Sequence, residues 1–365
     1  MSRNKIYCTC CGEEVFEDEL CYIDDKPYCQ MCYDELSCIC DVCGTTFLFS
    51  ENRGNDSMYL CPNCYDSYYF TCADCGEVVS REHIYYDSDD NCYCRECYYK
   101  NHDERIIHDY GYKPDPIFYG SGRYIGVELE IDEGDDHEEN AEKILSVANK
   151  DKEHIYIKND GSLDEGMEIV SHPMTLDYHT YQMPWKAVLS KALERGYLSH
   201  KTSTCGLHCH VDRLSLGDTY DEQEKTIGKI LFIIERFWDE FLKFSRRTEY
   251  QMNRWAARYG FKEKPHQVLH NAKNSALGRY ACVNLNNKDT IEFRMWRGTL
   301  KYNTFIATLQ MVETICSVAY SISEEELESL SWFKFIDMID YPELIRYLKE
   351  RRLYPNEPVN TEEEM

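Results

Sequence analysis

Two sets of residues in this chain have the types and spacing to do chemistry, and they lie apart. The first is a run of C-x-x-C pairs: Cys8/Cys11, Cys29/Cys32, Cys40/Cys43, Cys61/Cys64, Cys72/Cys75 and Cys94/Cys97. Two such pairs supply the four thiolates of a tetrahedral zinc site, and a site filled this way has no position open for water, so the metal is structural. The second set is oxygen-rich and lies beyond residue 120: Glu128 and Glu130 as E-x-E, Glu168, His208 and His210 as H-x-H, and Glu292 with Arg294 as E-x-R. Carboxylates gathered in one place repel one another and need cations between them. Hard oxygen donors with few imidazoles favour magnesium or manganese.

The elements that must position these groups follow from periodicity. The leading pairs recur every 32 residues, at Cys8, Cys40 and Cys72, each followed by glycine (Gly12, Gly44, Gly76); tyrosine follows each closing pair (Tyr33, Tyr65, Tyr98). A repeat this short cannot bury enough apolar surface to fold alone, so zinc, at about 10 kcal/mol, has to stabilise it. The gap within each group fits a zinc ribbon, with a strand-turn-strand spanning it. A cross-braced pairing, or replacement of a ligand by Cys10 or Cys38, leaves the register open; Cys10, Cys21, Cys38 and Cys92 are otherwise small buried apolar residues. Disulfides would be the alternative in an oxidising compartment.

The second set lies on period-two segments. RYIGVELEID (123–132) alternates Val127, Leu129 and Ile131 with Glu128, Glu130 and Asp132. GLHCHVD (206–212) sets Leu207, Cys209 and Val211 against His208, His210 and Asp212, and TIEFRMWRG (290–298) sets Ile291, Phe293 and Met295 against Glu292 and Arg294. Such alternation makes a strand with one apolar and one polar face. GMEIVSHP (166–173) adds Glu168. Helices are expected over 178–195, 219–245 and 303–321, and Ser323 opens a capping box for a last helical segment. Strands sharing one antiparallel sheet, with helices on the apolar side, would bring all the polar residues to the opposite face.

Composition sets the frame. Sixteen of the 20 cysteines precede residue 98, while the net charge of −26 extends over both halves. That charge argues against a nucleic-acid partner, because phosphate affinity comes from Lys and Arg; a peptide, protein or amine-bearing substrate suits it better. The start, MSRNKIYC, does not read as a secretory signal, and no run of about 18 apolar residues is present, so a cytoplasmic protein without membrane contact is expected. The expected domains are zinc modules at 1–36, 37–68 and 69–101, a linker at 102–122, a catalytic domain at 123–322, and a helical extension with an acidic tail at 323–365.

The ordered motifs GVELE (126–130), NDGSL (159–163), GMEIVSHP, CGLHCHVD (205–212) and TIEFRMWRGT (290–299) resemble those of the amidoligase family, carboxylate-amine ligases with a glutamine-synthetase-like fold. The resemblance covers about 175 residues, and excludes the cysteine repeat and the C-terminus. It implies an α+β fold with a curved antiparallel sheet, helices on one face, and ATP as cosubstrate. By the same resemblance Glu128, Glu130, Glu168 and Glu292 would hold metal, with His208 or His210 on metal or a nucleotide phosphate. Arg294, with Arg279 or Arg297, would stabilise the transferring phosphoryl group or the tetrahedral oxyanion. Asp160 and Ser162 would contact nucleotide or acceptor, and Asn284 is a further candidate. Arg297 stands at odd spacing from Arg294, which suits a strand end. The competing readings are a kinase acting on a nitrogen group, a metal-dependent hydrolase, and a non-catalytic zinc adaptor.

Overall fold

The computed structural model describes residues 5–101, 105–134, 137–202 and 204–354. It divides into two compact units, Met1–Glu104 and Arg105–Met365.

The first unit repeats one module. In each, a short hairpin carries the leading cysteines at its turn: Lys5–Tyr7 with Glu14–Phe16, Ser37–Ile39 with Thr46–Leu48, and Tyr69–Thr71 with Val78–Ser80. The turn closes with Gly12, Gly44 and Gly76 at φ +73°, +71° and +72°, a left-handed conformation that costs glycine nothing. The expected strand-turn-strand spans the gap in the first and third modules, as Cys21–Ile23 with Lys26–Tyr28 and Tyr85–Tyr86 with Cys92–Tyr93, and the closing pair adds a feature of its own at a helix start. Cys29 and Cys61 are the N-caps of helices Gln30–Leu36 and Pro62–Tyr68, and Cys94 directly precedes helix Arg95–Asn101. Tyr33, Tyr65 and Tyr98 close the first helical turn by donating their N–H to the carbonyls of Cys29, Cys61 and Cys94 at 2.9–3.0 Å. A C-x-x-C at a helix start aims both thiols at the same point, which a second hairpin turn would also do; the spacing alone does not distinguish them.

The second unit is built on a mixed sheet of eight strands. They are β1 (Ile107–His108), β2 (Tyr124–Ile131), β3 (Ile155–Lys158), β4 (Met167–Ser171), β5 (Met174–Thr175), β6 (Gly206–Asp212), β7 (Val283–Asn284) and β8 (Thr290–Arg297). The order is β1-β3-β4-β2-β6-β8-β7, with β5 beside β2. All pairs are antiparallel except β1 with β3, so the sheet is mixed where an antiparallel one was expected. The parallel strand comes from the segment expected as a linker. From Arg105 on, that segment belongs to this unit: Ile107 and Tyr119 are buried in its core, anchored by Ile107 opposite Ile157.

The apolar face of the sheet, including Val127, Leu129, Leu207, Cys209, Ile291 and Phe293, merges with the helices into one core. Two expected helices are each broken in two. Pro184 separates Leu176–Tyr181 from Trp185–Glu194, since proline cannot continue a helix, and Phe237 separates Tyr220–Arg236 from Trp238–Ser245. Helix Tyr302–Ser321 and the capping box of Ser323 with Glu326 are present as expected. The helices beyond Ser323 bury Leu327, Phe335, Leu344 and Leu348 in the same core, so they complete this unit instead of extending from it. The acidic tail lies outside the described residues. No helix among the described residues is long and apolar enough to cross a membrane.

Candidate active site

In the first unit, three groups bring four sulfurs together: Cys8/Cys11/Cys29/Cys32, Cys40/Cys43/Cys61/Cys64 and Cys72/Cys75/Cys94/Cys97. The Sγ–Sγ separations Cys11–Cys29, Cys43–Cys61 and Cys75–Cys94 are 3.9, 3.8 and 3.9 Å. Four thiolates at about 2.3 Å from one zinc stand about 3.8 Å apart, whereas a disulfide needs about 2.05 Å. Each module gathers its own ligands in chain order, so no cross-bracing is needed. Burial raises the leading thiols Cys8, Cys40 and Cys72, but backbone N–H groups around each turn outweigh it and bring each down to about 6. Cys10 is exposed, while Cys21, Cys38 and Cys92 sit on hairpin strands.

In the second unit, strand register builds a row across the polar face. Lys158 pairs with Glu168 and Glu168 with Glu130; Glu128 pairs with His208, and His210 with Glu292, which in turn faces Asn284. Glu128 is the hub, with its carboxylate 3.4 Å from His208 Nδ1 and 3.3 Å from His210 Nε2. His208 also faces Glu130 and Glu292, each at 3.7 Å. Lys158 Nζ lies 3.0 Å from Glu168, Asn284 donates to Glu292 at 2.8 Å, and Arg294 pairs with the other oxygen of Glu292. Glu130, Glu168, His208 and Glu292 are each at most 5% exposed.

The electrostatics are opposed within this row. Burial would raise Glu128, but the charge of His210 and hydrogen bonds from both imidazoles hold it well below the usual carboxylate range. Glu168 moves the other way: burial and the neighbouring Glu128 push it well above that range, against the pull of Lys158. Glu292 is lowered, since His210, His208 and Arg294 outweigh its burial.

A narrow cleft of about 70 Å³ opens over the row, and Asp160, Ser162, Arg279 and Arg294 line it with Glu128, Glu130 and Glu168. Asp160 and Ser162 arrive on a pinned loop. Asp132, buried at the end of β2, accepts the N–H of Glu165 at 2.8 Å and that of Asp164 at 3.3 Å, and the Asp160 carboxylate accepts from Ser162 N at 2.7 Å. The cleft is closed at its rim. Arg279 Nη1 donates to Tyr110 Oη at 2.6 Å, although Tyr110 follows one edge strand of the sheet and Arg279 precedes the other. Seven strands spaced at about 4.8 Å would set those edges nearly 30 Å apart on a flat sheet, so the flanking segments fold over the polar face.

Two buried cleft residues escaped the sequence reading, Lys158 and Arg247. The alternation Ile155, Ile157 against Tyr156, Lys158 was a usable signal for the first. Arg247 follows the end of a helix and carries no periodic mark. Arg297 does not line this cleft but a neighbouring pocket. A bulge explains its odd spacing: Leu207 faces Trp296 and Cys209 faces Phe293, so His208 stands opposite both Arg294 and Met295.

Gly206 fixes the centre of the site. Its N–H donates to Glu130 at 2.5 Å, and a Cβ there would stand 2.6 Å from His208 Nε2 and 2.8 Å from Arg247 Nη2. Gly206→Ala is expected to displace His208 and to lower Mn²⁺ affinity about tenfold or more, read by titration, with the circular dichroism of the folded chain unchanged.

The donor set suits a hard divalent cation. Glu128, Glu168 and His208 form one group whose ligand atoms lie within 4.8 Å of one another, and Glu128, His210 and Glu292 form a second. Lys158 Nζ faces Glu168 Oε2 and His210 Nε2 faces Glu128, so this ammonium and this imidazole offset carboxylate charge that a bound cation would otherwise neutralise.

No family model and no curated protein sequence matches this chain. Among solved structures it is similar to a bifunctional glutathione synthetase from Pasteurella multocida, with 13% identity and a TM-score of 0.37, over 63% of this chain and 46% of that one. The chain thus spans less than half of that protein's length, and a likeness this distant carries no argument about activity.

Proposed function

We propose that the second unit is an ATP-dependent carboxylate-amine ligase of the amidoligase kind, and that its polar sheet face is the active site. The observation that carries this is the continuous row of Glu168, Glu130, Glu128, His208, His210 and Glu292 on adjacent strands, flanked by Lys158, Arg294 and Arg279. Carboxylates on the floor with cations at the side suit a substrate that is itself anionic and carries metal.

Glu128, Glu168, Glu292 and His208 or His210 would hold magnesium or manganese, which when bound neutralises phosphate charge during phosphoryl transfer. The chain's own cations do the rest. Arg294, fixed by Glu292, and Arg279, fixed by Tyr110, offer donors to the transferring phosphoryl group and then to the tetrahedral oxyanion. A substrate carboxylate oxygen forms a bond to the γ-phosphorus and ADP leaves. An amine nitrogen then forms a bond to the acyl carbon and phosphate leaves, while the amine proton passes to solvent or a site carboxylate. The zinc modules, closed to catalysis, serve this reading as a recognition element for a peptide or protein substrate in an aqueous compartment.

The test is incubation of the full chain with ATP, Mg²⁺ and fractionated cell extract, followed by mass spectrometry. Products short of one water, with ADP and phosphate in equal amounts, are expected. Turnover of a substrate without ATP would instead establish a hydrolase, and phosphate retained on the product a kinase.

A further inference from the structure

In a chain of net charge −26, one pocket beside the cleft has arginines and no carboxylate in its wall. Arg254 and Arg297 line it, with Thr204, Thr248, Gln251 and Trp255, and it shares Thr204 and Trp255 with the cleft above the carboxylate row. Arg246 and Arg247, just before its wall residue Thr248 in the chain, line a further pocket, and Arg247 also lines the cleft. Among the described residues, none of these four arginines forms an ion pair with a carboxylate; arginine pairs of that kind are made by Arg105, Arg123, Arg258 and Arg294.

The Arg254 guanidinium lies 4.5 Å over the Trp255 ring, Arg246 bonds the Tyr347 side chain, and the remaining bonds go to backbone carbonyls. Arg247 Nε and Nη2 both point at the Trp296 carbonyl, at 3.4 and 3.2 Å. Arg246 reaches the carbonyls of Arg297 and Gly298 at 3.3 Å, and Arg297 reaches those of Arg246 and Thr202 at 3.2 and 3.1 Å. The Nε atoms of Arg246 and Arg297 are buried with no partner at all. Burying guanidinium groups beside one another without an anion is costly, because desolvation is not offset by attraction. The strain shows in the local field: burial first, then the charges of Arg294 and Arg297 against the pull of Glu130, bring Arg247 down to about 10. His200 is held low by its burial and then by Arg246, Lys201 and Arg297. An oxyanion between Arg254 and Arg297 would meet two guanidinium groups that no carboxylate neutralises, and would relieve that repulsion.

We infer that this pocket binds a second carboxylate of the acid substrate, so that the enzyme takes a dicarboxylic acid or a peptide bearing two nearby carboxylates; this rests on the ligase reading above. The oxyanion here is not a metal-bearing phosphate, because the pocket wall offers no carboxylate to hold a metal beside it. The reacting carboxylate would lie over the carboxylate row, and the second would enter through the opening at Thr204 and Trp255. Guanidinium matches a carboxylate with paired, charge-assisted donors, which fixes the substrate's orientation as well as its charge.

Calorimetric titration of the zinc-loaded full chain tests this without ATP turnover, so its outcome is separate from that of the ligase reading. Succinate, glutarate and adipate are compared with their monoamides and with inorganic phosphate at constant ionic strength. At least one dicarboxylate is expected to bind about tenfold or more tightly than its monoamide, a ratio that falls to about one in Arg254→Met/Arg297→Met. Arg254 is exposed, so Arg254→Met alone, in which the ratio should fall at least severalfold, serves if the double variant does not fold. Equal binding of acid and monoamide in the unmodified chain, or an unchanged ratio in the variants, overturns the proposal. So does phosphate binding as tightly as the best dicarboxylate with the same dependence on Arg254 and Arg297.

Discussion

Glu128→Gln should lower ATP turnover by on the order of 10³-fold or more and remove most Mn²⁺ binding. Glu128 belongs to both groups of candidate metal ligands and touches both histidines, so one substitution takes a charged oxygen from each. Glutamine keeps the size and one acceptor, and the fold should survive, because the apolar face of β2 is untouched. The metal-free chain should nevertheless melt lower, by a few degrees. The sign follows from the direction of the shifts. Glu128 is held below its ordinary range, so its contribution is present above that range and lost as pH falls through its lowered value. His210 is raised despite its burial, chiefly by Glu128, so its share is complete below the ordinary imidazole value and lost as pH rises through the raised one. The difference in melting temperature between the two chains should therefore be largest in mildly acidic solution and shrink on either side. Retained turnover with Mn²⁺ still bound would remove Glu128 from the site.

Metal removal should act on the other unit with a comparably large effect. With about 10 kcal/mol of stability per zinc, stripping the metal should unfold the modules while the second unit keeps its own core. Hydrogen exchange read by mass spectrometry separates the two: after chelation, protection should vanish across 5–101 and persist through the strands and helices of 105–354. Elemental analysis of the untreated chain should return three zinc ions, one for each four-cysteine group. Protection that survives in 5–101 after complete metal loss would show that the modules do not depend on zinc to fold.

What the sequence made legible was whatever a period carries. Alternation in 123–132, 206–212 and 290–298 placed Glu128, Glu130, His208, His210, Glu292 and Arg294 on one face, because in a sheet side-chain direction is fixed by parity. The 32-residue repeat gave the cysteine groups for the same kind of reason. What stayed hidden was set by tertiary contact. The parallel edge strand at Ile107–His108 is two residues long, too short to have a period, and is held by its pairing with Ile157 and Lys158. Arg247 reaches the cleft from beyond a helix end. The helical character of the closing C-x-x-C could not be read because a hairpin turn and a helix start use the same spacing. The break at Pro184 was visible as a residue, and the periodicity on either side ran across it.

The bulge opposite His208 divides β8 between two tasks. Up to Arg294 its outward side chains serve the carboxylate row; beyond the extra residue the parity inverts, Met295 and Trp296 both turn inward, and Arg297 emerges beside a different pocket. The strand thus behaves as a sentence with one inserted letter, after which every word changes its sense. Were the strand to pair without this bulge at unchanged length, Trp296 would turn outward and Arg297 would be carried from its pocket into the apolar interior.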